Sequence, residues 1–169
     1  MESLPLEYKV LILGIDDAGK TKLLYTIKLQ CPVMTISTVG YNFETVEWGK
    51  KQLTLYDIGG QPKMRDQWKK FYTSDVRGII YVYDITNPDR LDEAAKELCT
   101  ILQEEYLAKL PIAIFANKID QNVQMDYDII VKKVGIEKFN NRDFCAFGVS
   151  AQKGTGVETG IKWLFDKII

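Results

Sequence analysis

The sequence predicts a three-layer α/β fold, a mostly parallel six-stranded sheet with one antiparallel edge strand and helices on both faces. Apolar runs long enough for buried strands alternate with segments of helical periodicity, which is typical of parallel strands joined by helices. A glycine-rich loop also joins the first strand to the first helix. The chain has 169 residues, enough to bury a real core, and we expect residues 1–169 to form one domain.

The strands are predicted from apolar or alternating runs. They lie at residues 8–13, 42–48, 52–56, 78–83, 111–116 and 144–149. The second and third are expected to pair as a hairpin around Gly49-Lys50-Lys51. This hairpin supplies the antiparallel edge strand.

The helices are predicted from three- and four-residue spacing of apolar side chains and from their end signals. The first runs from about residue 20 to 30, where Cys31-Pro32 ends it. The next begins at Asn87-Pro88-Asp89 and carries an apolar stripe from Leu91 to Leu102. A short helix from about Tyr127 is closed by Gly135. The last helix spaces Val157, Ile161, Leu164 and Ile168 along one face.

The loop Gly14-Ile15-Asp16-Asp17-Ala18-Gly19-Lys20-Thr21 fits G-x-x-x-x-G-K-[ST], the phosphate-binding P-loop, in its required strand–loop–helix setting. Backbone N–H groups of such a loop point at phosphate oxygens. Lys20 is expected at the β- and γ-phosphates, and the Thr21 hydroxyl at Mg²⁺. The phosphate contacts are predicted for Asp17, Ala18, Gly19, Lys20, Thr21 and Lys22. The predicted fold is then that of the P-loop NTPases; a plain glycine turn is the alternative.

A second motif, Asn117-Lys118-Ile119-Asp120, follows an apolar strand and predicts the base. The Asp120 carboxylate can accept hydrogen bonds from the ring N–H and the exocyclic amine of guanine. Adenine offers neither donor at those positions. Each such bond to a charged group is worth about 1.5–3 kcal/mol, so the pair favours guanine by about two to four powers of ten. Lys118 is expected to lie along the base. The alternative is a polar turn at the end of a strand.

A third motif, Asp57-Ile58-Gly59-Gly60-Gln61, ends the predicted strand at residues 52–56. Asp57 is expected to reach Mg²⁺ through water, and the Gly60 N–H to contact a γ-phosphate. Gln61 is the candidate catalytic residue because a glutamine here orients the attacking water in phosphoryl transfer. A turn of the form D-x-G-G is the alternative, which the order of the motifs disfavours.

At these three motifs the chain resembles the small GTPases of the Ras superfamily, from about Tyr8 to its end. Finer marks resemble the Arf and Arf-like branch. Asp16 stands where that branch has an acidic residue, and Gly59-Gly60 is its double glycine. The segment Thr38-Val39-Gly40-Tyr41-Asn42-Phe43-Glu44-Thr45-Val46 is similar to the Arf switch I, and Arg65 and Trp68 sit as in its switch II. Val149-Ser150-Ala151-Gln152 resembles the last guanine-contact loop.

The resemblance implies a switch that cycles between GDP and GTP with Mg²⁺ and hydrolyses GTP slowly, since no arginine is evident as a built-in arginine finger. It places Thr38 on Mg²⁺ and the γ-phosphate, and Ser150, Ala151 and Gln152 at the base. Exchange factors, GTPase-activating proteins and effectors are the implied partners, in membrane or cargo trafficking. By the same resemblance, aromatic residues in or beside the switches are expected to form an effector-binding patch: Tyr41, Tyr56, Trp68 and Phe71. A buried core role is the alternative for Tyr56, which lies on a predicted strand.

Composition excludes several other classes. A net charge of −1 gives no electrostatic reason to expect nucleic-acid binding. With no histidine in the chain, Ser-His-Asp and Cys-His nucleophiles are excluded. Cys31, Cys99 and Cys145 lack zinc spacing and are interpreted as reduced thiols. No membrane-spanning run or signal peptide is seen, so a cytoplasmic monomer is expected.

Lipidation signals are also lacking. Glu2 stands where many Arf proteins carry the glycine that is myristoylated, and the C terminus has no prenylation motif. Peripheral membrane contact is left open, as is whether the natural N terminus is longer.

Two other functions compete with the switch. A P-loop enzyme that phosphorylates a small molecule would need an acceptor site and usually a basic lid, and this chain has no arginine-rich insert. The other alternative is a scaffold that binds nucleotide without hydrolysing it. Asp17 is the reason to consider it, because a second carboxylate near the phosphates would weaken their binding.

Overall fold

A computed structural model of the chain describes residues 7–29, 40–48, 50–121, 125–139 and 142–168. The strands are β1 Glu7–Leu13, β2 Tyr41–Trp48, β3 Lys51–Ile58, β4 Val76–Asp84, β5 Ile112–Asn117 and β6 Phe144–Val149. The helices are α1 Lys20–Leu29, α2 Pro62–Arg65, α3 Leu91–Leu102, α4 Ile129–Val134 and α5 Val157–Ile168. Short 3₁₀ turns occupy Trp68–Phe71, Pro88–Arg90, Glu105–Leu107 and Ile136–Lys138.

The strands form one six-stranded sheet in the order β2-β3-β1-β4-β5-β6. β2 runs antiparallel to β3 at the edge, and the pairs from β3 through β6 are parallel. The predicted mixed sheet is therefore confirmed. Its register aligns the strand ends, because Asn117 pairs with both Asp84 and Val149. Polar groups that follow neighbouring strands thus meet at one edge.

Both faces of the sheet are covered. In β1, Val10 and Ile12 pack into a core with residues of α1 and α5, whereas Leu11 and Leu13 pack into a second core with α3 and α4. All four side chains are fully buried. Burial on both faces explains why the sequence of β1 is a continuous apolar run rather than an alternating one.

Several element ends differ from the sequence prediction, most of all those of β3, which runs on to Ile58, and of β4, which runs from Val76 to Asp84. β3 begins at Lys51, one residue before its predicted start at residue 52. Asn87-Pro88-Asp89 leads into a 3₁₀ turn, and α3 begins at Leu91. α2 was not predicted from the sequence: none of its four residues is buried, so it has no apolar periodicity. Gly135 ends α4 with φ of 66°, as predicted.

The predicted end of the first helix, at Cys31-Pro32, lies outside the described residues. Among the helices that the structure describes, none is long and apolar enough to cross a membrane.

Candidate functional site

A pocket of about 760 Å³ opens at the carboxyl ends of the parallel strands. Three predicted motifs and the loop after β6 all contribute to its wall. The lining residues are Asp16, Asp17, Gly19, Lys20, Thr21, Lys22, Gly60, Gln61, Asn117, Lys118, Asp120, Gln121, Ala151 and Gln152. Open α/β sheets bind ligands at this edge. Segments far apart in sequence are therefore brought together as the motifs predict.

The glycine-rich loop is tightly fitted to its surroundings. Gly19 has φ of +95°, and a Cβ atom there would lie 2.3 Å from Asn117 Nδ2. Only glycine fits this backbone and this spacing. Lys20 begins α1 and is only 6% exposed, with its Nζ donating to the Ile15 carbonyl at 3.2 Å. Burial lowers the pKa of Lys20. A buried ammonium group on the wall of this pocket is suited to a phosphate.

Thr21 and Asp57 bring two oxygen ligands together beside the loop. The Thr21 hydroxyl donates to the Asp57 carboxylate, and Asp57 is fully buried. Mg²⁺ prefers oxygen ligands and is usually held by one or two carboxylates together with substrate phosphates. Among the described residues, no group of three His, Cys, Asp or Glu side chains could hold a metal ion unaided. The donor set fits Mg²⁺ that is completed by a phosphate ligand.

Asn117 joins two loops of the site. Its Nδ2 donates to the Ala18 carbonyl at 2.8 Å, and its Oδ1 accepts from the Ala151 backbone N–H at 3.0 Å. Ala18 is buried and does not line the pocket. Asn117 therefore holds the phosphate loop and the last loop in one arrangement.

Lys118 is locked by a carboxylate that sequence reasoning missed. Its Nζ donates to the Asp17 carbonyl at 2.8 Å and to Asp84 Oδ2 at 2.8 Å. Asp84 is fixed in turn by the Thr86 backbone N–H at 2.8 Å. The signal was present in the sequence, since Asp84 follows an apolar run as Asp57 and Asn117 do.

Ser150 lies behind Asp120 rather than on the pocket wall. It is fully buried, its hydroxyl donates to Asp120 Oδ1 at 2.8 Å, and it accepts from the Lys153 N–H at 3.0 Å. Ser150 thus orients the Asp120 carboxylate. At the mouth, Lys22 Nζ donates to Gln152 Oε1 at 2.5 Å, which links α1 to the last loop.

The loop after β3 lies directly against the phosphate loop. The Gly60 carbonyl accepts from the Asp16 backbone N–H at 3.0 Å. A Cβ atom on Gly60 would lie 2.4 Å from the Gly14 carbonyl oxygen. Gln61 therefore follows a fixed peptide and lines the pocket. Thr38, predicted on Mg²⁺, lies outside the described residues.

An aromatic surface adjoins this loop. It consists of Tyr41, Phe43, Tyr56 and Phe71, with Tyr41 53% and Phe43 57% exposed. Tyr41 meets Phe71 edge to face at 5.1 Å, and Phe43 stacks on Tyr56 at 5.7 Å. Trp68, expected in this patch, is instead 3% exposed, with its Nε1 donating to the Gly59 carbonyl at 2.9 Å. Its place in the patch was wrong because its indole N–H has a buried partner.

Comparison with known proteins agrees with this site. The model of the ADP-ribosylation factor family matches residues 1–168. ADP-ribosylation factor-like protein 1 of Saccharomyces cerevisiae is 38% identical over 162 residues, which cover 96% of this chain and 88% of the yeast protein. The solved structure of the Arl6 BBS3 small GTPase from Trypanosoma brucei, with bound nucleotide analogue GppNp, is similar with a TM-score of 0.84. It is 30% identical, and the match covers 96% of this chain and 98% of that one.

The similarity extends over nearly the whole chain. The chain therefore belongs to the ADP-ribosylation factor family of small GTPases, as a GTP-binding switch that hydrolyses GTP.

Proposed function

We propose that this pocket is where the chain binds GTP and GDP with Mg²⁺, and that residues 1–169 act as one GTPase domain. The observation that carries the proposal is the convergence of the three motifs and the last loop on one pocket. In the Trypanosoma brucei relative, the bound molecule is the nucleotide analogue GppNp. The same ligand class suits the donors gathered here.

At the phosphate end, Asp17, Ala18, Gly19 and Lys22 contribute backbone, and Lys20 contributes charge to the β- and γ-phosphates. Lys20 gives up its bond to the Ile15 carbonyl to reach them. Thr21, Thr38 and Asp57 are the residues that would hold Mg²⁺, with Asp57 acting through water. When bound, Mg²⁺ neutralises charge on the β- and γ-phosphate oxygens.

At the base end, Asp120 accepts the two guanine donors while Ser150 holds its carboxylate in place. Lys118 is fixed along the base by Asp84 and by the Asp17 carbonyl. Asn117, Ala151 and Gln152 complete this end. The bond between Asn117 and the Ala18 carbonyl keeps the base end in register with the phosphate end.

Gln61 is the proposed catalytic residue, which orients the water that attacks the γ-phosphate. Gly60 donates its N–H to that phosphate. Of the described arginines beside the pocket, Arg65 and Arg90 are both engaged with carboxylates. Neither extends into the pocket as a charge for the transition state. Hydrolysis should therefore be slow until an activating protein binds.

The biological role we propose is regulation of membrane or cargo trafficking through effectors, with a cytoplasmic monomer that associates peripherally with membranes. Exchange factors and activating proteins would drive the cycle. The exposed aromatic surface next to Gln61 supports effector binding, because large aromatic side chains dominate the energetics of protein interfaces.

The testing experiment compares single-turnover hydrolysis of bound GTP in the native protein and in Gln61→Leu, with and without an activating protein of the family. Leucine matches glutamine in bulk but cannot hydrogen-bond water. We expect unchanged GTP affinity and a stimulated rate reduced at least a hundred-fold, since an interaction made in the transition state is lost. Gln103→Leu, outside the pocket, is the matched control. An undiminished stimulated rate would assign the water to another group.

A further inference from the structure

Arg65 stands between the loop that carries Gln61 and the rest of the molecule. Its side chain is only 11% exposed, although none of the residues of α2 is buried. The Nε atom donates to the Gly60 carbonyl at 2.9 Å. The two other nitrogens contact Glu93 at 2.6 Å and Glu97 at 3.3 Å, both on α3, and Asp16 at 3.3 Å. The polar contacts of Arg65 therefore tie α2 to the phosphate loop and to α3.

The Gly60 carbonyl belongs to the peptide that joins Gly60 to Gln61. It accepts two hydrogen bonds, from Arg65 and from the Asp16 backbone N–H at 3.0 Å. The same peptide lies flush with the phosphate loop, where a Cβ on Gly60 would be 2.6 Å from the Asp16 nitrogen. The two hydrogen-bond donors and the close contact with the phosphate loop fix the orientation of this peptide. That orientation sets where the Gln61 side chain starts.

The arrangement requires the shape of a guanidinium group. Arginine presents five N–H donors in a rigid plane, so that one side chain can hold a carbonyl and several carboxylates at once. A lysine keeps the charge but concentrates its donors on one nitrogen. Arg90 binds the same acids from the other side, with contacts of 2.7 Å to Asp16 and 3.0 Å to Glu93. The resulting charged cluster links the phosphate loop, α2 and α3, and consists of Asp16, Arg65, Arg90, Glu93 and Glu97.

We propose that Arg65 is a positioning residue for GTP hydrolysis, which holds the Gly60–Gln61 peptide against the phosphate loop so that Gln61 faces the pocket. Arg65 does not touch the substrate. This inference rests on the role of Gln61 proposed above.

The experiment is a double-mutant cycle on single-turnover hydrolysis of bound GTP, alone and with an activating protein. It uses Arg65→Lys, Gln61→Leu and the combination of the two. Arg65→Lys should slow hydrolysis about ten-fold, the effect of one lost hydrogen bond to a charged donor. It should keep a thermal midpoint near the native value, because the cation remains. In the Gln61→Leu background the same change should have no further effect.

Lys69→Ala is the matched control, since it removes a nearby cation whose side chain is 71% exposed and bound to Glu104 instead. It should hydrolyse GTP at the native rate. Because the intrinsic rate is slow, a second measurement does not depend on hydrolysis. The amide resonance of Gln61 should shift in Arg65→Lys and stay in place in Lys69→Ala.

The two failures are distinct. In the first, Gln61→Leu hydrolyses GTP slowly, but Arg65→Lys keeps the native rate and does not move the Gln61 resonance. This result would overturn the present inference and leave the proposed function intact. A fully additive loss in the double variant would also overturn the inference, because Arg65 would then act independently of Gln61. Native hydrolysis by Gln61→Leu would overturn the catalytic role of Gln61 and the positioning role together.

Discussion

At the scale of single residues, specificity depends on side chains that are held by neighbours away from the ligand. Asp120 is aimed by Ser150, and Lys118 is held by Asp84. Each pair couples a group on the pocket wall to a partner that does not line the pocket. A charge held in this way loses little freedom when the ligand arrives, so that more of its interaction appears as affinity.

Asp120→Asn is expected to shift the preference from guanine to xanthine nucleotides. The amide replaces an acceptor with a donor, which suits the C2 carbonyl of xanthine and opposes the amine of guanine. Competition of XDP and GDP for a fluorescent nucleotide measures the change. Ser150→Ala is the control: it should weaken GDP binding without creating a preference for XDP. Unaltered GDP affinity in Asp120→Asn would remove Asp120 from the base site.

Asp17→Asn should slow the release of GDP. Asp17 lines the pocket with its side chain 81% exposed, and it has φ of 64°, which asparagine tolerates as well. The substitution therefore keeps the backbone and removes a charge that repels phosphates, together with an exposed ion pair to Arg90 at 4.0 Å. Exposed charge pairs are worth up to about 1 kcal/mol, so the rate should fall about two- to five-fold at low salt.

Release of a fluorescent GDP analogue at low and high salt checks the effect of Asp17. The two proteins should converge at high salt because exposed charges are screened. Asp166→Asn, on α5, should release nucleotide at the native rate. Equal release by Asp17→Asn and the native protein at low salt would mean that the Asp17 carboxylate points away from the phosphates.

At the scale of elements, the register of the β2–β3 hairpin is less tightly specified than that of a clean amphipathic strand. β2 is an edge strand, and neither of its faces is purely apolar. Val46 and Trp48 pack towards α1 and α5, and the Trp48 ring meets Phe165 at 5.3 Å. Lys28 of α1 donates to the Thr45 carbonyl at 2.5 Å. A shift of the hairpin must also carry the buried Leu53 and Leu55 along the core and break the hydrogen bond from the Thr54 hydroxyl to Glu7 at 2.8 Å.

We predict that the hairpin shifts by two residues along β1 between the GDP and GTP states. An even shift keeps Val46 and Trp48 on the same face, whereas an odd shift would reverse every side chain. In the structure described here, Leu11 pairs with Tyr56. Structures with GDP and with a nonhydrolysable GTP analogue should differ in this pairing by two residues. Identical β3–β1 pairing in both structures would exclude the shift, but the assignment of the chain as a GTPase would stand.

At the scale of the whole molecule, two apolar cores on either side of the sheet supply the bulk of burial, while the charged cluster of Asp16, Arg65, Arg90, Glu93 and Glu97 joins three segments at the pocket edge. Hydrogen bonds from Arg90, then from Arg65, lower the pKa of Glu93. A hydrogen bond from Arg90 likewise lowers the pKa of Asp16. Both acids are therefore stabilised in their charged form by folding.

The free energy of unfolding should consequently fall in acid. A carboxylate whose pKa is lower in the folded state stabilises the protein above its unfolded-state pKa, and this contribution is lost as the pH falls through the folded-state pKa. Unfolded Asp and Glu titrate near pH 4, so the loss should begin below about pH 5. Urea midpoints between pH 7 and pH 3, with GDP held saturating, measure it.

The comparison for the acid effect is Glu93→Gln, which should lose less stability over that range because one of the linked carboxylates is absent. Asp92→Asn is the matched control on α3, since Asp92 is 91% exposed and pairs with Lys133 instead. It should follow the native pH dependence. Parallel curves for Glu93→Gln and the native protein would show that the cluster does not contribute to acid sensitivity.

The sequence by itself determined the features that local chemistry dictates. Continuous apolar runs predicted the central strands because a strand buried on both faces must be apolar throughout, and alternating runs predicted the edge hairpin. The Gly14–Thr21 loop, Asp57-Ile58-Gly59-Gly60-Gln61 and Asn117-Lys118-Ile119-Asp120 predicted the pocket, because each follows a strand and parallel strands end at one edge. These signals lie within a few neighbouring residues, so no tertiary information was needed to read them.

The tertiary structure alone decided which side chain supports which. Ser150 behind Asp120, Asp84 on Lys118 and Arg65 on the Gly60 carbonyl join residues that are 30, 34 and 5 positions apart. The tertiary structure also buries Trp68 and forms the four-residue helix α2, for which the sequence shows no apolar periodicity. The physical reason is that hydrogen bonds and ion pairs depend on direction and distance in space, which composition and spacing along a chain do not encode.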